Sequence, residues 1–180
     1  IQDLQPWDTG YYSEKLKVQQ FNLSQESLKP YFPAPKILQG LFSIVNRLYG
    51  INIVEREAPV WHPDARYFEL EDQGKVVGGF YFDLYARSGK RGGAWMSGFR
   101  SRMQTKEGLQ KPICYMVCNF TPAVGDQAAL LTHDEVNTLF HEFGHGLHHM
   151  LTEVDHIAVA GTHGVDWDAV ELPSQFMEFW

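Results

Sequence analysis

The segment from Thr132 to Leu151 constrains the fold of this chain more than any other stretch. Its apolar residues recur at intervals of three and four, which predicts an amphipathic helix. Thr132 and Glu135 have the spacing of a capping box, so a second and independent signal marks where the helix begins. We expect this helix to bury one face and to present its histidines and Glu142 on the other.

Within this helix, His141-Glu142-Phe143-Gly144-His145 has the spacing H-E-x-x-H. Histidines at i and i+4 lie one above the other on a helix, so both imidazoles can bind one zinc ion. Glu142 would then flank the open coordination position and act as the base that activates water. Single helical histidines are usually structural, but five of the eight histidines lie between residues 133 and 149. The pattern therefore predicts one catalytic zinc ion per chain, with a closed structural zinc site as the alternative.

Spacing leaves the third protein ligand open. His149 continues the i+4 pattern but lies about 12 Å along the helix axis from His141, too far to share an ion with it. The metzincin pattern requires Gly and His where this chain has His148 and Leu151. A downstream carboxylate remains, and the candidates are Glu153, Asp155, Asp166, Asp168, Glu171 and Glu178. The first two follow the helix too closely for the chain to turn back, and spacing does not decide among the other four.

Two long segments carry the most specific similarity to a known family. They are F-H-E-F-G-H-G-L-H-H at 140–149 and V-E-L-P-S-Q-F-M-E at 170–178. Shorter matches are W-D-x-x-Y-Y at 7–12, Y-F-D-L-Y-A-R at 81–87, G-G-A-W at 92–95, C-N-F at 118–120 and G-T-H at 161–163. Together these segments resemble the thimet oligopeptidase / oligopeptidase A family of zinc metallopeptidases, over essentially the whole chain.

The resemblance implies a ligand set and an activity. Glu171 would be the third zinc ligand beside His141 and His145, with Glu142 as the general base. The implied reaction is hydrolysis of short peptides in the deep cleft of a longer, monomeric, cytoplasmic enzyme. Residues 1–180 would then be an excised fragment with little activity of its own. A zinc-binding structural fragment and a non-peptide metallohydrolase are the alternative functions.

Four other residues are predicted to have supporting roles. Glu178 lies seven residues after Glu171, on the same helix face, and is expected to orient a ligand histidine. Cys118 and Asn119 end a strand that leads to the metal helix, as the edge strand does in thermolysin-like folds, so this strand could pair with a substrate backbone. His163, in the G-T-H segment, is expected near the substrate.

The periodicities predict an α+β fold in which a small, mostly antiparallel sheet packs against the active-site helices. The resemblance implies that this is a thermolysin-like core within a larger, mainly helical enzyme. We expect one catalytic domain, with helices in 1–50, the sheet in 51–120 and the zinc-binding helices in 132–180. The predicted helices are 8–21, 24–31, 37–49, 132–151 and 168–180, and the predicted strands are 66–71, 75–85, 94–103 and 113–120. Asp168 is expected to cap the last helix, and 87–93 to form a flexible loop.

Charge and hydropathy limit the classes of partner that this chain is expected to bind. The net charge of −7 argues against binding to nucleic acid or to anionic membranes. No apolar run approaches the ~20 residues needed to cross a bilayer. Cys114 and Cys118 are about 13 Å apart along a predicted strand, so we expect free thiols, as in the cytosol.

Overall fold

The computed structural model describes residues 4–22 and 24–180, which run from helices through a sheet to helices. The helices are α1 (Asp8–Phe21), α2 (Gln25–Leu28), α3 (Ala34–Tyr49), α4 (His133–Met150) and α5 (Leu172–Met177), with 3-10 turns at Lys29–Tyr31 and Ile157–Val159. The strands are β1 (Asn52–Arg56), β2 (Arg66–Asp72), β3 (Lys75–Tyr85), β4 (Trp95–Arg100), β5 (Met103–Thr105), β6 (Gly108–Gln110) and β7 (Ile113–Phe120). The predicted mixture of helix and sheet is confirmed.

Local signals fixed the ends of several elements. α1 has the predicted bounds, and Gly50, with a φ of 72°, ends α3 where a left-handed residue suits a helix terminus. The β2–β3 hairpin turns at Gln73 and Gly74, whose φ values of 46° and 77° are those of a two-residue type I′ turn. These predictions are confirmed. Each could be made from sequence because it depends on residues that are close along the chain.

The main sheet has five strands in the order β1-β2-β3-β7-β4. Neighbours are antiparallel except β3 and β7, which are parallel. The chain leaves β3, forms β4 at the far edge and the separate β5–β6 hairpin, and then inserts β7 between β3 and β4. The expectation that the strand ending at Cys118 lies at an edge is therefore wrong, and β4 is the edge strand on that side.

The predicted strand over 94–103 is divided. β4 ends at Arg100, and the register of its pairing with β7 shifts between Gly98 and Arg100. A β-bulge of this kind bends a strand and interrupts its ladder, so the alternating pattern continues in sequence beyond the point where pairing stops. Met103 begins β5, which pairs with β6 instead.

The core lies between the sheet and the helices α3 and α4. α4 packs across β7, β4 and β3. Phe143, inside the H-E-x-x-H motif, is fully buried, with its ring centroid 5.3 Å from that of Phe80 and 5.9 Å from that of Phe82. Burying such a ring stabilises the fold by about 1.5–3 kcal/mol, and this packing holds α4 on the sheet.

Cys114 and Cys118 are both buried free thiols, as predicted. They lie four positions apart on β7, so both side chains point to the core face. Among residues 4–22 and 24–180, no helix has the length and apolar character required to cross a bilayer.

Candidate metal centre

Three side chains from two helical segments converge at one point. Oε2 of Glu171 lies 3.2 Å from Nε2 of His141 and 3.0 Å from Nε2 of His145. The ligand atoms of the three residues all lie within 4.8 Å of one another, and this is the one such group in the described part of the chain. The structure thus brings together the two histidines predicted from spacing and the glutamate implied by resemblance.

The donor set fits a divalent metal ion. Bonds of about 2.0–2.2 Å in a tetrahedral arrangement place neighbouring ligand atoms about 3.3 Å apart, close to the separations of Glu171 from both histidines. Two imidazoles and one carboxylate also match the three-ligand sets that leave a position free for chemistry.

The start of α4 sets the position of both histidines. Oγ1 of Thr132 accepts a hydrogen bond from the Glu135 amide at 3.1 Å, and Oε2 of Glu135 accepts one from the Thr132 amide at 2.8 Å. This is the predicted capping box, and it satisfies amides that the first turn leaves free. His141 and His145 follow on successive turns, with ring centroids 5.0 Å apart.

The local structure around Glu171 differs from the prediction. Asp168 does not cap the last helix, because 166–171 forms tight turns, in which the amides of Ala169 and Val170 donate to the Asp166 carbonyl. α5 begins at Leu172, so Glu171 occupies the capping position itself. The early position of Pro173 explains this start, since proline suits the first turn of a helix.

Two further residues hold Glu171 in place. The buried Ser174 hydroxyl lies 2.8 Å from both the carbonyl oxygen and Oε2 of Glu171. The hydrogen bond from Ser174 to the Glu171 side chain lowers the pKa of Glu171, so its carboxylate is ionised. Gly144 lets α5 approach, because a Cβ there would lie 2.4 Å from the Pro173 carbonyl oxygen. Of the two, Ser174 was not predicted from the sequence, where its one signal is a serine three residues after the glutamate.

Glu178 lies against His141, one of the two histidines predicted to bind zinc. Its Oε1 is 2.6 Å from Nδ1 of His141. A carboxylate accepts hydrogen bonds, so Nδ1 of His141 donates to Glu178, and Nε2 is the nitrogen that faces Glu171. Burial lowers the pKa of His145, which favours its neutral imidazole.

Glu142 is buried, with 7% of its surface exposed, and His149 is 1% exposed. The expectation that α4 presents a single open polar face is therefore wrong, because β4 and the loop after α4 cover much of that side. Burial raises the pKa of Glu142, although a backbone hydrogen bond from Met96 in β4 acts in the opposite direction. Such an environment brings a carboxylate closer to the range in which it can accept and release a proton near neutral pH.

The remaining predicted site residues make contacts that the sequence did not predict. The Cys118 side chain is fully buried, and burial raises the pKa of its thiol to about 12. Asn119 donates from Nδ2 to the carbonyls of Arg91 and Gly93, at 2.8 and 2.7 Å, which fixes the segment entering β4. Nδ1 of His163 lies 3.1 Å from the Ala160 carbonyl, within its own loop.

The basic loop after β3 is held by several charged hydrogen bonds, so the prediction of a flexible loop is wrong. Asp83 is 3% exposed and accepts two hydrogen bonds from Arg87, at 2.6 and 2.8 Å. Nζ of Lys90 and Nε1 of Trp61 also donate to it, each at 2.9 Å. No local pattern predicts that an acidic residue inside a strand binds this loop.

Comparison with known proteins relates the whole chain to one group. The sequence model for "Peptidase family M3" matches residues 1–180. Oligopeptidase A of Escherichia coli (strain K12) is 57% identical over 183 residues, covering 100% of this chain and 27% of that protein. Two Arabidopsis thaliana proteins are also similar. Organellar oligopeptidase A, chloroplastic/mitochondrial, is 50% identical, covering 97% of this chain and 23% of its own length. Probable cytosolic oligopeptidase A is 47% identical, and the match covers 97% of this chain and 26% of that protein. The chain thus spans about a quarter of the length of these relatives.

Proposed function

We propose, from the premise that the chain belongs to peptidase family M3, that it carries the zinc site of an enzyme that hydrolyses peptide bonds in short oligopeptides. The observation that carries the proposal is the convergence of His141, His145 and Glu171 beside the buried Glu142. A closed structural zinc cage would contain four protein ligands and would have no use for a base next to one of them.

One zinc ion per chain would be held by His141, His145 and Glu171. When bound, zinc supplies a Lewis acid that polarises a carbonyl group and makes water a better nucleophile near neutral pH. Glu178 would keep His141 in the tautomer that leaves Nε2 free, a role supported by the 2.6 Å contact with Nδ1. Ser174 would hold the Glu171 carboxylate at the distance that its hydroxyl contact sets.

Glu142 would act as the general base and then as a proton donor. It would accept a proton from the attacking water and transfer it to the amine released when the peptide bond breaks. Its burial supports this role, because a raised pKa makes both halves of the transfer accessible near neutral pH.

The substrate would bind along the exposed edge of β4. Strand addition needs backbone groups without a partner in the sheet, and β4 is the last strand on its side. β4 also reaches Glu142 through the backbone of Met96. The strand that contains Cys118 and Asn119 is interior, so β4 and not β7 is the strand we propose for substrate pairing.

At the level of the chain, we propose that residues 1–180 form part of one catalytic domain with a thermolysin-like core. The sheet edge beside a helix bearing the H-E-x-x-H motif supports this comparison. We propose cytoplasmic peptides as substrates and a monomeric enzyme, with no role in nucleic-acid or membrane binding. The name of the probable cytosolic relative supports that location, whereas the organellar relative marks the alternative.

Substrate profiling of the whole protein that carries this chain tests the proposal. Internally quenched peptides of graded length should be cleaved, with turnover falling as the peptides become long, and a strong chelator should abolish the activity. Restoring zinc should restore turnover. Cleavage of small non-peptide amides alone, or full activity in metal-free protein, would contradict the proposed function.

A further inference from the structure

β4 has a bulge near its end, and the backbone carbonyl of its last residue is bound by a histidine of α4. The register shifts between Gly98 and Arg100, and the Arg100 carbonyl lies 3.0 Å from Nε2 of His149. A carbonyl oxygen accepts hydrogen bonds, so Nε2 must carry the proton of this imidazole. His149 therefore donates to the point where the edge strand leaves the sheet.

The imidazole of His149 occupies a slot between two glycines. A Cβ on Gly98, in β4, would lie 3.0 Å from Cε1 of His149. A Cβ on Gly161, in the loop after α4, would lie 2.9 Å from the His149 Cα and 3.1 Å from its Nδ1. Gly161 also has a φ of 63°, which disfavours any residue with a side chain. The ring is thus fixed by backbone on both sides.

This slot connects the edge strand to the helix that bears the proposed ligands. His149 lies one turn beyond His145 on α4, about 6 Å along the axis. Nearer the start of β4, the Met96 backbone lies close to Glu142, also on α4, and acts to lower the pKa of its carboxyl. α4 therefore meets β4 about one turn on either side of His145.

We propose that His149 is a positioning residue that holds the edge strand at the distance from the metal helix required for a substrate backbone to pair with β4. The inference rests on the proposed function, because it takes β4 as the substrate-binding edge. His149 touches neither the ligand side chains nor the reacting atoms, and its effect passes through the Arg100 carbonyl.

The unpaired nitrogen of the ring agrees with a role in geometry. Nδ1 of His149 is buried without a hydrogen-bond partner in the part of the chain that the structure describes. An unpaired buried polar atom works against stability, so an apolar side chain of similar size would be favoured if packing were the only requirement. The hydrogen bond from Nε2 to the Arg100 carbonyl is a polar contact that imidazole adds over such a side chain.

Two substitutions in the whole protein separate positioning from packing. His149→Leu removes the donor, whereas His149→Gln keeps an amide N–H at similar reach. We expect His149→Leu to raise KM for oligopeptides by at least about fivefold, with kcat within about twofold and zinc content unchanged, since the loss concerns substrate binding. His149→Gln should have a KM close to that of the unsubstituted protein. The matched control is His156→Leu, the same change at an exposed histidine.

Amide hydrogen exchange provides a second readout that is independent of turnover. Exchange of the 95–100 amides should be faster in His149→Leu and near normal in His149→Gln, while α4 stays protected. If the whole protein cleaves no peptide, the proposed function fails. The amide exchange rates of residues 95–100 still show whether His149 holds β4 in place.

If His149→Leu does not fold, Gly98→Ala tests the same contact from the strand, because its methyl would press on the ring. It should raise KM with little change in kcat. Unchanged KM and unchanged exchange in the folded variants would overturn the proposal. Equal defects in His149→Leu and His149→Gln would also overturn it, because bulk rather than the hydrogen bond would then be responsible.

Discussion

Glu142 combines burial with a position next to a proposed ligand, and it is the residue to which we assign proton transfer. Glu142→Gln keeps the size and hydrogen-bonding capacity of the side chain but removes the base. Turnover by the whole protein should fall by at least ~10²-fold with zinc content unchanged, as measured by kcat and metal analysis. Glu153→Gln, at an exposed glutamate, is the control and should have near-normal turnover. Near-normal turnover of zinc-bound Glu142→Gln would mean that another group activates water.

Glu171 and Glu178 both contact His141, but we assign them different roles. Glu178→Ala should weaken zinc binding by ~10–100-fold, the usual cost of losing a group that orients a ligand. Glu171→Ala should weaken it much further, because a ligand atom itself is lost. Competition with a chelator of known affinity measures both. Equal losses in the two variants would contradict the assignment.

At the scale of single residues, the sequence predicted what one helix contains. His141, Glu142 and His145 have a fixed relation within α4, so spacing alone placed them. Glu171 could not be derived in this way, because its approach depends on how α5 packs against α4. Resemblance identified it, while the turns before α5 and the Ser174 contact emerged from the structure.

The packing of α5 on α4 depends on Gly144, which makes the contact testable. Gly144→Ala places a methyl group 2.4 Å from the Pro173 carbonyl oxygen, so α5 and Glu171 must move away from the histidines. We expect zinc affinity to fall by at least about tenfold, since metal sites tolerate little displacement of a ligand. Isothermal titration with zinc measures this change.

The control for Gly144→Ala is Gly40→Ala, at a helical glycine in α3 with open space around its Cβ position. Replacing that glycine should leave zinc affinity unchanged and stabilise the protein by up to ~1 kcal/mol. Unchanged zinc affinity in both variants would show that the close approach of α5 does not position Glu171.

Asp83 accepts hydrogen bonds from the loop between β3 and β4 and so holds this loop in place. Burial alone would raise the pKa of Asp83, but hydrogen bonds from Arg87, Lys90 and Trp61 hold it well below its usual range. Because the folded pKa is depressed, ionised Asp83 stabilises the protein above the unfolded value of about 4, and this contribution is lost as pH falls toward the folded pKa. Asp83→Asn should cost ~3–5 kcal/mol at pH 7 and less in acid.

Urea unfolding at a series of pH values measures the effect of Asp83→Asn. The control is Glu55→Gln, which removes an exposed ion pair with Arg66 and should cost no more than ~1 kcal/mol at any pH. A loss in Asp83→Asn that stays constant down to pH 2 would contradict the charge-based account.

At the scale of elements, periodicity predicted helices and strands but not the order of strands. β7 has the pattern of a half-buried strand at an edge or in the interior, and its place between β3 and β4 follows from long-range pairing. The same limit applies to the loop after β3, because the partner of Arg87 and Lys90 lies inside a strand. The hairpin at 72–75 was predictable because its turn residues are adjacent.

The whole molecule presents apolar side chains around the proposed site. Trp167 is 92% exposed, Leu172 74% and Phe179 88%. Since the chain spans about a quarter of the length of its relatives, we expect residues 1–180 alone to have little peptidase activity and to self-associate through this surface. Peptide cleavage and size-exclusion chromatography with light scattering test this, with the whole protein as the control. Robust turnover by monomeric residues 1–180 would contradict it.

The coordination of the metal is the central claim, and a crystal structure of zinc-loaded protein tests it most directly. Anomalous diffraction at the zinc edge should give a single peak per chain, about 2.0–2.2 Å from Nε2 of His141, Nε2 of His145 and a carboxylate oxygen of Glu171. Coordination by any carboxylate other than Glu171, or zinc bound elsewhere with these three side chains free, would contradict the account.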